Sequence, residues 1–147
     1  MPKAKVGSVA VAKRGSVAPE TLARLRSICL ALPEAIEEPA WVGTRWRVRQ
    51  QTFAHVLMIE AGWPPAYARA AGSSGPLCVL TFRSPLPELD AYAFAEAPYF
   101  RPGWWPDIVG MAIGAQVDWA EVGDLITDSY VRLAPKKLAR AIGAAPG

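Results

Sequence analysis

The alternation of polar and apolar residues is most regular in residues 44–49, where three arginines alternate with a tryptophan and a valine. A period of two is typical of a β-strand with one face toward the core and the other toward solvent. The apolar run at residues 52–59 predicts a partner strand, so the pattern indicates a hairpin within residues 41–59, with Gln50 and Gln51 as the turn. The three arginine side chains are then expected on the outer face of the first strand.

Apolar residues at helical spacing predict helices on both sides of this hairpin. The first helix begins at Pro19, which suits a first helical position, and ends before Pro33. Another helix is expected at residues 84–95. The last long helix has an N-cap signal at Asp118, and Pro135 separates it from a short basic helix.

Two further apolar runs, at residues 77–82 and 107–114, predict strands, and residues 97–106 are interpreted as an aromatic connector or a short strand. Residues 33–41 and 60–76 carry prolines and no period, and we interpret them as a connector and a long loop. The element order predicts an α+β fold, in which an antiparallel sheet of about four to five strands has helices packed on one face.

The length of 147 residues and the hydrophobic content of 52% fit one domain with a substantial core, which we expect at residues 18–142. Residues 1–17 are basic and predict a flexible tail, with a phosphate-seeking arm as the alternative; residues 143–147 are a C-terminal tail. No apolar run approaches the roughly 20 residues that cross a bilayer, and no signal peptide is recognisable. We therefore expect a cytoplasmic protein, monomeric by default, that does not associate with membranes.

Few residues carry obvious chemistry. Cys29 and Cys78 lie in apolar surroundings and outside any CxxC arrangement, which indicates two buried hydrophobic residues. His55 is the single histidine and has no sequence-adjacent catalytic partner. Phosphate-binding glycine motifs are absent from the sequence. We expect no enzyme activity, no cofactor and no metal site.

Several ordered segments resemble the MmcQ/YjbR-like family. The N-terminal half contains ALPEAIEEPAWVGTRWRVRQQTFAHV, similar to the family's helix end, tryptophan segment and arginine-rich strand. The C-terminal half contains YFRPGWWPDIVGMAIG and VDWAEVGDLITDSYVRLAPKKLARAI, similar to its Gly-Trp element and final helix. The resemblance covers about residues 18–142. It implies a CyaY-like (frataxin-like) fold and the family's description as double-wing DNA-binding proteins.

Basic side chains are the candidate contacts to DNA phosphates, because guanidinium groups bond phosphate oxygens well and a rigid strand fixes their spacing. A net charge of +3 permits a polyanionic partner without requiring one. The alternative is a solvated sheet face whose arginines pair with nearby acids. The candidate residues are Arg45, Arg47, Arg49, Arg101, Lys136 and Lys137.

Aromatic residues in loops support a second interpretation, a non-enzymatic module that binds a small molecule or a protein in an aromatic cleft. The cleft would lie between the sheet, residues 60–76 and the GWW element, with Trp63, Trp104 and Trp105 as stacking residues. The acidic group of Glu34, Glu37 and Glu38 invites comparison with metal-binding frataxin surfaces, but three carboxylates beside prolines do not predict a metal site.

Overall fold

The computed structural model describes residues 16–84 and 97–144. Their secondary structure agrees with the predicted order, with additional short elements. In chain order, the elements are α1 (Pro19–Leu30), β1 (Ile36–Pro39), β2 (Thr44–Val48), β3 (Gln51–Ile59), α2 (Pro65–Ala71), β4 (Leu77–Arg83), β5 (Tyr99–Phe100), β6 (Ile108–Ala112), α3 (Trp119–Leu133) and α4 (Lys136–Ala144).

The strands form one antiparallel sheet in the order β1-β2-β3-β4-β6-β5. The predicted α+β fold with an antiparallel sheet is therefore confirmed, although the sheet has six strands where four to five were expected. Helix α4 continues to Ala144, two residues past the expected domain end.

The main core lies between one face of the sheet and helices α1, α3 and α4. Trp46, Phe53 and Val56 from the sheet are fully buried there against Leu25 and Tyr130 from the helices. The rings of Phe53 and Tyr130 meet edge to face with centroids 5.3 Å apart, a favoured aromatic geometry. Burial of each such side chain contributes about 2 kcal/mol, so this layer is a major source of stability.

The opposite face of the sheet has a smaller apolar cluster. Leu57 and Val79, which pair across β3 and β4, are buried on this side, whereas their neighbours Val56 and Leu80 belong to the main core. Helix α2 packs on the smaller cluster. The three longer helices thus lie on one face, as predicted, and α2 covers part of the other.

The N-cap of α3 is confirmed. The carboxylate oxygen Oδ1 of Asp118 accepts hydrogen bonds from the backbone N–H groups of Ala120 and Glu121, at 3.0 and 3.3 Å. Val117 and Val122, the expected hydrophobic staple, both join the main core.

The interpretation of residues 33–41 as a connector is wrong for its central part. Residues Ile36–Pro39 form β1, which pairs with β2 and places Glu37 opposite Trp46 and Glu38 opposite Arg45. Charged residues and a proline are tolerated on an edge strand because one side of its backbone has no neighbouring strand. The same features gave this segment the composition of a connector.

The predicted turn is displaced by one residue. Val48 pairs with Gln51, so Arg49 and Gln50 form the turn, and Gln51 begins β3. Arg49 has a φ of +56° and lies outside the strand. The expectation that it continues the arginine face of the strand is therefore wrong.

The segment 60–76 is not a structureless loop, because it contains α2 and an isolated bridge between Glu60 and Trp63. The predicted short strand in the aromatic segment is observed as β5. The helix expected at residues 84–95 lies outside the described residues except for Ser84, as do tail residues 1–15 and 145–147. Within the described residues, no helix is long and apolar enough to cross a membrane.

Candidate binding cleft

A cleft of about 330 Å³ opens on the sheet face that α2 covers only in part. Its floor contains a polar row across three strands, because Arg45 pairs with His55 and His55 pairs with Thr81. Arg83 lies two residues beyond Thr81 on β4, so its side chain emerges on the same face. We refer to Arg45, His55, Thr81 and Arg83 as the cleft floor.

Aromatic side chains form the walls of the cleft. Trp41 comes from the β1–β2 connection, Tyr67 from α2, and Trp104 and Trp105 from the β5–β6 connection. Tyr67 and Trp104 are in edge-to-face contact with centroids 4.7 Å apart, which joins two of these elements. The cleft therefore combines a polar floor with indole and phenol walls, a pattern suited to a planar ligand that carries polar groups.

The β1–β2 turn holds Trp41 at the edge of the cleft. The N–H of Ala40 donates to the carbonyl of Gly43 at 3.0 Å, and Gly43 has a φ of +79°. A Cβ at Gly43 would overlap the carbonyl oxygen of Val56, so glycine is needed for both the conformation and the close approach. Trp41 remains 80% exposed and lies 5.5 Å from the ring of Trp63.

His55 is held in the neutral form on the floor. Its Nε2 lies 2.6 Å from the carbonyl oxygen of Val42, which only accepts, so Nε2 carries the proton and donates. Nδ1 then accepts from the hydroxyl of Tyr67 at 3.3 Å. Burial lowers the pKa of His55, and the nearby charge of Arg45 lowers it further, while the bond to Val42 opposes both. Burial raises the pKa of Tyr67, so the phenol stays protonated.

A carboxylate shared by two arginines lies on the β1 side of the cleft. Glu38 accepts from Nε of Arg45 at 2.6 Å and from Nε of Arg47 at 2.9 Å. The bonds to Arg47 and Arg45 lower the pKa of Glu38, so it is ionised at neutral pH. Two guanidinium charges and one carboxylate leave a net charge of +1 in this group.

The same arrangement recurs on the far side of the cleft. The carboxylate of Asp107 accepts from Nη1 of Arg83 at 2.8 Å and from Nε of Arg132 at 2.9 Å. Burial alone would raise the pKa of Asp107, but the two arginines together lower it. This group also has a net charge of +1, so the cleft lies between two sites of excess positive charge.

The candidate phosphate contacts do not form one row. Arg45 lines the cleft, and Arg47 shares its carboxylate. Arg49 bonds Glu34 at 2.9 Å from the hairpin turn. Arg101, in the β5–β6 connection, donates to the carbonyl of Pro106 at 3.1 Å.

The two lysines lie in the helical layer. Lys136 and Lys137 begin α4, which packs on the sheet face opposite to Arg45. The hydroxyl of Tyr130, in the last turn of α3, donates to the carbonyl of Pro33 at 2.6 Å. Because Glu34 follows Pro33 and pairs with Arg49, the hairpin turn lies at the same end of the domain as the start of α4.

The candidate stacking residues fall near one another. Trp104 and Trp105 line the cleft, and Trp63 extends the wall through its contact with Trp41. The guanidinium of Arg83 lies 5.7 Å from the ring centroid of Trp105, a cation–π geometry. The cleft thus lies at the expected place, between the sheet, residues 60–76 and the GWW element.

Arg83 and Asp107 are site residues that the sequence analysis missed. Arg83 comes at the end of one apolar run and Asp107 at the start of another, so each resembles an ordinary polar strand end. The signal that was available is the antiparallel pairing of these two runs, which brings Arg83 opposite Ile108 and next to Asp107.

The acidic residues near β1 are engaged by arginines. Glu37 bonds Arg26 and accepts from the indole N–H of Trp46 at 2.9 Å, and Glu38 bonds Arg45 and Arg47. Among residues 16–84 and 97–144, no group of three His, Cys, Asp or Glu side chains is arranged to hold a metal ion. Cys29 and Cys78 are free thiols; burial raises the pKa of both, that of Cys78 to about 12.

Comparison with known proteins agrees with the segments that resemble a family. The YjbR family model matches residues 30–132, which include the whole sheet and most of α3. Among curated proteins and among solved structures, no significant match to the chain is found. The match covers more than half of the chain, including the hairpin, both shared-carboxylate groups and every wall of the cleft, and this chain belongs to the YjbR family.

Proposed function

We propose that the protein binds nucleic acid through phosphate contacts on the cleft side of the sheet. The observation that carries this proposal is the sharing of each carboxylate, Glu38 and Asp107, between two arginines. An arginine in a one-to-one ion pair is electrically compensated, whereas each of these groups keeps a charge of +1. Arginine also has five N–H donors, so a guanidinium bonded to one carboxylate retains donors for a phosphate.

A second basic contact is proposed at the end of the domain that contains the hairpin turn and the start of α4. Lys136 and Lys137 are exposed there, whereas Arg49 is compensated by its one-to-one pair with Glu34. Lysines at a helix N-terminus lie against the positive end of the helix dipole, and a bound phosphate would relieve that repulsion. The DNA-binding role that the family resemblance implies is consistent with both contacts, and DNA is the proposed partner.

Titration of a labelled DNA duplex tests this function. We expect binding at about 50 mM salt that weakens strongly at about 200 mM, because counterions are released from the phosphates. The double variants Arg45→Gln/Arg47→Gln and Lys136→Gln/Lys137→Gln compare the two contacts. Each phosphate contact that is lost lowers the slope of log K against log salt by about 0.9.

A charge-matched control is Arg24→Gln/Arg69→Gln, since both residues are exposed on helices outside the two contacts. We expect it to retain most of the affinity. Absence of binding at low salt both to the duplex and to its separated strands would overturn the function. Equal loss of affinity in the control and in both test variants would show that binding depends on net charge alone and not on the two proposed contacts.

A second candidate function is the binding of a small planar molecule, and the cleft itself favours it. A volume of about 330 Å³ is within the range of ligand pockets, about 300–1,000 Å³. Thermal unfolding in the presence of a panel of aromatic carboxylates tests this function. A rise in Tm for wild type that is lost in Arg45→Gln would support it.

We also propose that binding occurs without catalysis. This is supported by His55, whose Nε2–H is bonded to a backbone carbonyl and whose Nδ1 faces the hydroxyl of Tyr67, so no carboxylate orients it as a general base. Recovery of the labelled DNA intact after incubation tests this point. A cytoplasmic location is proposed from the two free thiols, which fit a reducing compartment, and cell fractionation checks it.

A further inference from the structure

We propose that the cleft holds one nucleotide unit, with an unpaired base against the tryptophans and its phosphate on Arg45. This inference rests on the proposed nucleic-acid function and identifies the part of the nucleic acid that the cleft recognises. The chemistry is that of a planar base joined to an anion, and a free nucleotide or a single strand can supply it.

The walls of the cleft provide the surface for the base. Trp41, Trp104 and Trp105 are 80%, 43% and 57% exposed, which leaves a large aromatic area in contact with water. The contact between Tyr67 and Trp104 is edge to face, so at most one face of the Trp104 indole is covered by it. Indole faces stack on bases regardless of base identity, and this gives binding without strong sequence preference.

The floor provides the contact to the phosphate. Arg45 is 43% exposed in its side chain and uses Nε and Nη2 for Glu38, which leaves Nη1 directed away from that carboxylate. Arg83, which is 24% exposed, adds positive charge on the other side. The backbones of Arg45 and Arg83 lie about 12 Å apart, because two strand spacings and two residues along β4 separate them. A ligand between them is therefore exposed to the electric field of both guanidinium groups.

The geometry favours an unpaired base over a duplex. Both faces of a base in a duplex are covered by its neighbours, and its edge is paired, so entry into an aromatic cleft requires unstacking at a cost of a few kcal/mol. An unpaired base avoids this cost.

Fluorescence of the tryptophans gives a direct readout, because a base stacked on indole quenches its emission. The probes are thymidine monophosphate, thymidine, a labelled oligothymidine strand and a labelled duplex. The variants are Trp41→Ala, Trp104→Ala and Arg45→Gln. Leu30→Ala is the matched control, since Leu30 is an apolar residue that is 44% exposed on α1, away from the cleft.

The expected result is quenching by thymidine monophosphate and by oligothymidine, with affinity reduced about ten-fold in Trp41→Ala and Trp104→Ala. Arg45→Gln should lower the affinity for thymidine monophosphate. The affinity for thymidine, which lacks the phosphate and binds more weakly, should not change. Circular dichroism and Tm confirm folding, and the high exposure of Trp41 makes its variant the one least affected in stability.

The outcomes separate this inference from the proposed function. Tighter binding of oligothymidine than of the monophosphate identifies a single strand as the source, and binding of the monophosphate alone supports the nucleotide site while overturning nucleic-acid binding. Duplex binding that equals or exceeds single-strand binding, unchanged in Trp41→Ala and Trp104→Ala, overturns the inference and leaves the function standing. Failure of every probe to bind overturns both.

Discussion

Arg45 and Arg47 bind the same carboxylate, that of Glu38, through their Nε atoms at 2.6 and 2.9 Å. The two arginines are next-but-one neighbours on β2, and Glu38 lies opposite Arg45 on the edge strand β1. The edge strand thus provides one negative charge for two positive charges. Because the pair of arginines is not fully neutralised, the charge of Glu38 controls how much of their field reaches a ligand.

Glu38→Gln is therefore expected to strengthen binding of DNA at low salt. Removal of the carboxylate frees two guanidinium groups, and the slope of log K against log salt should steepen by up to about 0.9 for each additional phosphate contact. Anisotropy titrations at several salt concentrations measure this. Glu20→Gln, an exposed residue in the first turn of α1, is the control with the same change in charge. Equal affinity of the two variants would contradict an inhibitory role for Glu38.

The regular parts of the fold were predictable because each has a local cause. Alternation in β2 and the cap at Asp118 depend on residues that are close in sequence. The edge strand β1 was missed because Glu37, Glu38 and Pro39 have the composition of a connector, and the partner strand that gives them order lies beyond a turn. Local patterns cannot distinguish an edge strand with charged residues from a connector.

The turn and the cleft were only partly predictable. The register shift opposite Trp46 and Arg47 is a bulge at Phe53 in β3, and the alternation on β2 continues to Val48. Because Val48 pairs with Gln51, the strand ends there and Arg49 lies in the turn. Aromatic side chains of the predicted cleft were identified from their position in loops. Arg83 and Asp107 were not, because their roles depend on the pairing of β4 with β6 and on Arg132 from α3.

We expect folding to lower the pKa of His55. Burial disfavours the charged imidazole, so the folded-state pKa lies below the ordinary value of 6.5. Because the folded pKa is lower than the unfolded one, stability is fully present above the unfolded value and is lost as pH falls through the folded value. Since His55 is the single histidine, its imidazole resonances give the midpoint directly by NMR.

His55→Gln provides the matched test of that pH dependence. Glutamine retains a donor for the carbonyl of Val42 but does not titrate. We expect the unfolding free energy of wild type to decline more than that of the variant as pH falls below about 6.5. A midpoint at or above the ordinary value would contradict the prediction.

Ser129→Ala is expected to destabilise the protein by about 2 kcal/mol, because it leaves two buried backbone groups without partners. The hydroxyl of Ser129, which is fully buried, donates to the carbonyl of Phe53 at 2.7 Å and accepts from the N–H of Arg83 at 2.8 Å. Helix α3 thereby anchors β3 beside its bulge and β4 at the cleft floor. Urea unfolding measures the loss, and Ser27→Ala, exposed on α1, should change stability by less than about 0.5 kcal/mol.

Asp107→Asn is expected to lower the unfolding free energy at neutral pH by about 2 kcal/mol. Asp107 is 9% exposed and is the shared acceptor for Arg83 and Arg132, so the amide leaves both guanidinium groups without their carboxylate. Partial exposure of the two arginines keeps the cost below that of a fully buried pair. Asp124→Asn, the same chemical change at an exposed position on α3, should have little effect.

The pH dependence of this loss distinguishes an ion pair from simple packing. The pKa of Asp107 is lowered on folding from its ordinary 3.8, so its contribution is present above that value and disappears as pH falls through the folded pKa. Wild type and Asp107→Asn should therefore differ at neutral pH and converge as pH falls through the folded pKa of Asp107, where its carboxyl group becomes neutral like the amide. Urea unfolding at a series of pH values measures the difference. If the difference in unfolding free energy stays constant down to the folded pKa, the effect of Asp107 comes from shape and hydrogen bonding, and not from its charge between Arg83 and Arg132.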